Sequence, residues 1–306
     1  MKIVFLGTPS FAVPILKGLH EHYEIALVIS QPNRVKKKGV FLDTPVAGMA
    51  KELGLPLIQP ESIKDIFEEI EALHADTLIT AAYGQYIPSK ILNLFKVKVN
   101  VHGSLLPKHR GGAPIQRCLM EGDSITGVTI MEMAKKLDGG KIYSMEEYKI
   151  EDSDTASILF DKLSIMGRDL LLKSLPDIYN GKNLGIPQDD TKATYSANIS
   201  VEEEEIKLNK ASKEIINQIR GLADEPGAYL KVHDTKLKVF KAHEVKYLGS
   251  EAPGTVLNIK KGITLKTLDS AISLDLVLMP GKKITKGIDF SNGQKIFVLG
   301  DIILSE

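Results

Sequence analysis

The sequence predicts an α/β protein built on a doubly wound, mainly parallel sheet and followed by a small all-β domain. Two observations carry this. Through the first half, short apolar runs alternate with segments of helical period. In the last third, short strand-like runs lie close together between turn residues. The 306 residues suffice for two domains, which we bound at 1–188 and 207–306, with a linker over 189–206.

The elements follow in order. KIVFLG (2–7) is an apolar strand ending at a glycine turn, and SFAVPILKGLH (10–20) spaces Phe11, Ile15 and Leu19 as one helix face. EIALVIS (24–30) is a second buried-type strand. TPVAGMAKELG (44–54) has Thr44 at the N-cap, Pro45 at the first helical position and Gly54 as a stop. PLIQP, SIKDIFEEIEALH (62–74), DTLITAAYG (76–84) and KVKVNVH (96–102) continue the alternation, which makes the first domain Rossmann-like. TGVTIMEM (126–133) and KIYSMEEYKI (141–150) flank the turn LDGG, and residues 154–181 read as a long amphipathic helix capped by Asp154. Residues 181–205 lack periodicity and are rich in Gly, Asp, Thr and Ser. After a helix over 210–222 come AYLKVH, KLKVFKAHEV, GTVLNIK, GITLKTL, SLDLVLM and KIFVLGDIIL, a series that fits an OB-like barrel.

Composition is that of an ordinary globular protein, 43% hydrophobic and 25% charged. No apolar run approaches the roughly 20 residues that span a bilayer. The N-terminal run IVFL is too short for a signal-peptide core. Cys118 is the single cysteine, which excludes an internal disulfide and a multi-cysteine zinc site. A cytoplasmic monomer is the expectation. Net charge is zero but unevenly divided. Residues 207–306 hold 16 Lys and Arg against 11 Asp and Glu, the remainder 23 against 28. A basic final third suits a polyanion, and equally a surface solubilised by lysine.

In doubly wound sheets, ligands bind beyond the carboxyl ends of the strands. GTPSF after the first strand is not G-x-G-x-x-G, so a dinucleotide site is poorly supported. NVHGSLLPKHRGGAP (100–114) is richer. Asn100 and His102 are two apart in a strand and share a face. Asn is a neutral donor for a developing oxyanion, and His moves protons near neutral pH. Asp138, between Leu137 and two glycines, is a candidate to orient and support that His. A lone N-x-H is also a common strand-end pair, and spacing does not separate the two readings.

The longer string does. N-x-H, SLLP, RGGAPIQR, TGVTIM and L-D-x-G follow one another over residues 100–140 and resemble the 10-formyltetrahydrofolate-dependent formyltransferase family. FLGTPSFAVPIL (5–16), QPNR (31–34), AAYGQYIP (81–88), ATYSANIS (193–200), QIRGL with PGAYL (218–230) and PGTVL (253–257) extend the resemblance over nearly the whole chain. It implies Asn100, His102 and Asp138 as the catalytic residues and no metal. It implies a folate pocket at Ser104, Leu105, Leu106 and Pro107, lined also by the loop Tyr83, Gly84, Gln85, Tyr86 and Ile87. It implies formyl transfer to the α-amine of methionyl initiator tRNA, with Asn100 and protonated His102 stabilising the tetrahedral oxyanion and Asp138 supporting the charged ring. Because the amine attacks in its neutral form, the rate is expected to rise from acid toward neutral pH.

The sequence departs from the family in places. After QPNR, relatives carry a glycine-rich basic loop with an arginine, whereas this chain has VKKKGVFLDTP, about one residue shorter. Arg34, Lys36, Lys37, Lys38, Lys108 and Arg110 are therefore expected as tRNA contacts, although lysine lacks the planar fork of arginine. A solvated loop accounts for the lysine run equally well. His109 reads as a turn residue or a base-stacking one. Cys118, on a helical segment, reads as a buried small residue.

Overall fold

The structure, a computed structural model, describes residues 1–34, 36–37, 39–293 and 295–303. The chain forms two compact units. The first comprises Met1–Pro114, Ile125–Lys149 and Leu159–Ala197, and the second Ile115–Ser124, Ile150–Ile158 and Asn198–Glu306. Residues 189–206 are thus divided between them at Ala197.

The first unit runs β1 (Lys2–Gly7), α1 (Val13–His22), β2 (Glu24–Ile29), β3 (Lys36–Lys37), β4 (Val40–Phe41), α2 (Pro45–Glu52), β5 (Leu57–Ile58), α3 (Phe67–Ala72), β6 (Thr77–Ala81), α4 (Ser89–Leu92), β7 (Val97–His102), then β8 (Ile125–Glu132) and β9 (Ile142–Lys149). Seven strands form one sheet in the order β5-β2-β1-β6-β7-β8-β9. The pairings from β5 to β7 are parallel and the last two antiparallel. From β1 the chain moves outward through β2 to β5 and then returns to β6 on the other side of β1. That reversal makes the carboxyl ends of β1 and β6 the switch point where a ligand crevice opens. Ile3, Val4, Phe5 and Leu6 are wholly buried, as expected for a strand covered on both faces. Thr44 caps α2 as predicted, its hydroxyl accepting from the Ala47 amide at 3.2 Å.

Helix α5 spans Pro114–Glu121 and α6 spans Ala156–Tyr179. The start of α6 corrects the expected cap. Thr155 immediately precedes the helix, and its hydroxyl accepts from the Ile158 amide at 3.4 Å. Asp154 instead accepts from the Glu151 amide at 2.8 Å and closes the preceding turn.

The second unit carries α7 (Ser212–Leu222), β10 (Tyr229–Val232), β11 (Thr235–Val245), β12 (Val256–Asn258), β13 (Ile263–Lys266), β14 (Ala271–Leu278), β15 (Thr285–Lys286) and α8 (Gly287–Gly293). Its strands pair antiparallel throughout, in the order β10-β11-β14-β13-β12 with β15 beside β14. This is the small β domain that the run of short strands predicts, with α7 and α8 in addition to its antiparallel sheet. Ile215, Ile219 and Leu222 of α7 pack against Leu230, Val239, Ile272 and Leu274. KIFVLGDIIL does not form the predicted strand over its described residues. Gly300 adopts φ 88°, and Phe297 and Ile303 are buried while Val298, Leu299 and Ile302 are exposed, a pattern without alternation. Only Ile302 makes a bridge there, to Thr255.

Candidate active site

Strand β7 delivers Asn100 and His102 to the carboxyl end of the sheet, the Asn half-buried and the His 5% exposed. Thr80, beside Asn100 on β6, donates its hydroxyl hydrogen to Asn100 Oδ1 at 2.8 Å. Oδ1 is therefore an occupied acceptor, and the Nδ2 hydrogens are what the side chain has to offer. His102 Nε2 lies 2.9 Å from the carbonyl oxygen of His109. Its Nδ1 lies 3.8 Å from Asp138 Oδ2, within ion-pair reach and beyond a hydrogen bond. The three residues that sequence reasoning singled out thus converge on one place.

The turn 103–113 that wraps this site is held from two sides. Thr129 on β8 donates to the Ser104 carbonyl at 2.6 Å and accepts from the Leu106 amide at 3.2 Å. Ser104 Oγ donates to the Lys108 carbonyl at 2.7 Å. On the other side, residues 194–196 lie along 109–113. The amides of His109 and Arg110 donate to Thr194 Oγ1 and Thr194 O, each at 2.9 Å, and the Ser196 amide donates to the Arg110 carbonyl at 2.7 Å. His109 Nδ1 pairs with Ser196 Oγ at 2.8 Å. Of the two readings of His109, the buried turn residue is the observed one, at 5% exposure and φ 58°. Gly111 permits this approach, since a Cβ there would sit 2.6 Å from the Ser196 carbonyl oxygen. Its amide donates to Asp138 Oδ2 at 2.8 Å.

Arg110 is set apart from the other expected tRNA contacts by its burial. Its side chain is fully buried, donating through Nε and Nη2 to Gln188 Oε1 and through Nη2 to Asp190 at 2.8 Å. A guanidinium enclosed in this way presents nothing to a nucleic acid. Lys136 and Arg110 together hold the Asp190 carboxyl below the usual range. Lys108 is exposed. Arg34 is exposed and paired with Glu61 at 2.8 Å. Lys36 and Lys37 form β3, a two-residue strand paired with Val40 and Phe41, and Lys38 lies outside the described residues.

In the loop after β6, Tyr83 and Ile87 are core residues, packed with Leu6, Leu27 and Ile63. Burial pushes the Tyr83 hydroxyl up to about 12, so it remains a protonated phenol. Gly84, Gln85 and Tyr86 reach the surface, Tyr86 with 65% of its area exposed. Thr8 Oγ1 and Gln31 Nε2 hold the Tyr83 carbonyl at 3.0 and 3.3 Å. Thr80 and Gln188 were not found by sequence reasoning. Each acts through a partner at least 20 positions away in sequence, and neither lies in a local pattern that marks it. Among the described residues, no cluster of His, Cys, Asp or Glu is arranged to hold a metal ion, and no helix is long and apolar enough to cross a membrane.

The fold is thus a mainly parallel α/β sheet with Asn100, His102 and Asp138 near the carboxyl end of β7, followed by a small β domain. The sequence pattern of the formyl transferase family matches residues 1–175, and that of its C-terminal domain residues 198–295. The chain belongs to the formyl transferase family. It is 43% identical over 311 residues to the methionyl-tRNA formyltransferase of Lactobacillus acidophilus, covering 99% of both chains. It is 41% identical over 305 residues to that of Staphylococcus aureus, covering 98% of both. Among solved structures, the sugar 3N-formyl transferase WlaRD superposes with a TM-score of 0.69 at 20% identity, covering 92% of this chain and 99% of that one. At that identity the match speaks for the fold alone.

Proposed function

We propose that the protein transfers the formyl group of 10-formyltetrahydrofolate to the α-amine of methionyl initiator tRNA, yielding the formylated tRNA that starts translation. The observation that carries this is the end-to-end similarity, above 40% identity, to relatives named for that activity. A cytoplasmic, monomeric enzyme is part of the reading, because charged tRNA is made and used in the cytoplasm and one chain holds all of the candidate residues.

The lining fits a folate. Leu105 and Pro107 are half-buried beside buried Leu106, and exposed Tyr86 offers a flat aromatic face. Positive φ at Ala82 (48°) and Gly84 (87°) puts a left-handed turn on either side of Tyr83 in this loop. Ser104 orders the loop rather than the ligand, since its hydroxyl is engaged with Lys108. Bound there, 10-formyltetrahydrofolate supplies a formyl carbon whose oxygen gains negative charge as the amine adds.

The chain's own groups answer that charge and the proton that accompanies it. Asn100 donates from Nδ2 to the developing oxyanion, with its carboxamide orientation held by Thr80. His102 keeps one hydrogen on Nε2, directed at the His109 carbonyl, so proton exchange falls to Nδ1. Taking the amine proton at Nδ1 makes an imidazolium, and the Asp138 carboxylate 3.8 Å away opposes its charge. The same nitrogen returns the proton to the leaving N10. Arg34 and Lys108 offer exposed positive charge to the acceptor RNA, and the sequence adds Lys36, Lys37 and Lys38 as further cations.

The direct test is an assay of the purified protein with 10-formyltetrahydrofolate and methionyl initiator tRNA. Formylated tRNA is expected. No transfer to the tRNA, with transfer instead to an amino sugar carried on a nucleotide, would overturn the acceptor assignment.

A further inference from the structure

We infer that Gln188 is a positioning residue for Asp138, itself oriented by the buried Arg110. The inference rests on the role proposed above for Asp138. Gln188 belongs to the segment before Tyr195 that looked from sequence like featureless chain.

Its carboxamide has a determined orientation. Oε1 faces two guanidinium nitrogens of Arg110, at 3.1 Å from Nε and 2.6 Å from Nη2. Nε2 faces two carbonyl oxygens, those of Asp138 at 2.8 Å and Gly140 at 2.7 Å. Guanidinium only donates and a carbonyl only accepts, so a flipped amide would oppose four like partners. Every principal hydrogen-bonding site of the side chain is used. Arg110 in turn is enclosed by protein and tied to Asp190, which also pairs at 2.6 Å with Lys136, the residue just before the LDGG turn.

What Gln188 holds is a strained turn. Asp138 adopts φ 45°, a left-handed conformation that a non-glycine residue occupies only when its surroundings impose it. Gly140 lies so close to β8 that a Cβ would come within 1.9 Å of the Glu132 carbonyl oxygen. Pinning the carbonyls of Asp138 and Gly140 together fixes the two ends of this turn. In that conformation Oδ2 reaches both the Gly111 amide, at 2.8 Å, and the neighbourhood of His102 Nδ1, at 3.8 Å. The described hydrogen bonds of the Gln188 side chain go to Arg110, Asp138 and Gly140 and not to His102. Gln188 acts through the direction of one carboxylate.

The test uses Gln188→Glu and Gln188→Met in the full-length protein, each alone and combined with Asp138→Ala. The glutamate keeps an acceptor for Arg110 but has no hydrogens for the two carbonyls. The methionine keeps the length and removes both functions, so the pair guards against either variant folding poorly. Each is expected to lower kcat about 10–100-fold, the usual cost of removing a group that orients a functional side chain. KM for both substrates should stay near that of the unsubstituted protein. In the Asp138→Ala background the same changes are expected to cost nothing further, because the carboxylate they orient is gone. A readout independent of turnover is the NMR chemical shift of the His102 ring, which should move in Gln188→Met and stay put when Gln188→Met is added to Asp138→Ala. If Asp138→Ala alone turns over at the unsubstituted rate, the proposed role of Asp138 fails and the inference with it. If Asp138→Ala is slow while both Gln188 variants are unimpaired, or if the losses multiply in the double variants, the inference alone is overturned.

Discussion

The Nε2 of His102 stands 2.9 Å from the carbonyl oxygen of His109, and that contact assigns the hydrogen. A carbonyl has nothing to donate, so Nε2 bears the proton and Nδ1 is the free position. His102→Ala is expected to lower kcat by roughly 10²–10⁴ while leaving the affinity for 10-formyltetrahydrofolate, measured by equilibrium titration, unchanged. A variant that still turned over normally would remove His102 from the proton transfer.

Asn100 is the proposed oxyanion donor, and Asn100→Ala is expected to cost about 10²–10³ in kcat. Thr80 supplies a finer check. Thr80→Val removes the hydrogen that occupies Asn100 Oδ1 and frees the amide to rotate, so a kcat loss on the order of 10-fold is expected, with Thr80→Ser restoring activity. Steady-state kinetics of the two substitutions decide between orientation and simple packing, since valine preserves the shape of threonine.

The basic residues divide by burial. Arg34→Ala and Lys108→Ala are each expected to weaken tRNA binding and lower the salt slope of the affinity by about one. Arg110→Gln is expected to leave that slope unchanged and to destabilise the fold by about 1–3 kcal/mol, because Gln188 and Asp190 lose the donors of a buried guanidinium. Filter binding across a salt series, paired with thermal unfolding, separates the two behaviours. Arg110→Gln with the salt signature of a phosphate contact would return it to the RNA surface.

Glu203 gives the second unit an acid-sensitive tie. The Arg117 guanidinium, 2.9 Å away at its Nη2, holds the Glu203 carboxyl down to about 2. A carboxyl whose pKa is depressed on folding contributes stability above its ordinary value, and that contribution fades as pH falls from about 4.5 toward 2. Glu203→Gln is therefore expected to unfold with a shallower dependence on pH in that window and to differ least from the unsubstituted protein at its acid end. Denaturant midpoints measured along the acid series provide the check. The pair is partly solvent-exposed, so the effect is expected to be modest.

Cys118 is fully buried, with its Sγ 3.1 Å from the Ile115 carbonyl oxygen in its own helix. Cys118→Ala is expected to leave kcat unchanged. A loss of turnover in a variant with an unaltered melting temperature would mean that the thiol has chemistry to do.

Much of the site was legible because its parts lie close together in sequence. Asn100 and His102 share a face through the two-residue period of a strand, and SLLP and RGG follow without interruption. Asp138 was legible as a candidate carboxylate in a glycine-containing turn, and the family resemblance joined it to Asn100 and His102; its left-handed conformation could not be foreseen at a position followed by glycines but not itself one. Arg110 misled for a physical reason. A basic residue in a glycine-rich turn is exposed by default, and only the return of residues 188–196 across that turn encloses it. The strand expected over KIFVLGDIIL failed because apolar composition was read without alternation, and a glycine at positive φ divides the run.

The sequence by itself determined the alternation of strands and helices, the small β domain after it and the residues able to do acyl-transfer chemistry. These follow from local periodicity and from side-chain chemistry, which a linear string records. Tertiary structure decided which way each group points. Thr80 turns the amide of Asn100, the His109 carbonyl selects the proton-bearing nitrogen of His102, and Gln188 with buried Arg110 holds the turn that carries Asp138. Those contacts join residues 7, 20, 50 and 78 positions apart, and only the packing of the folded chain brings donors and acceptors from such distances within hydrogen-bond reach.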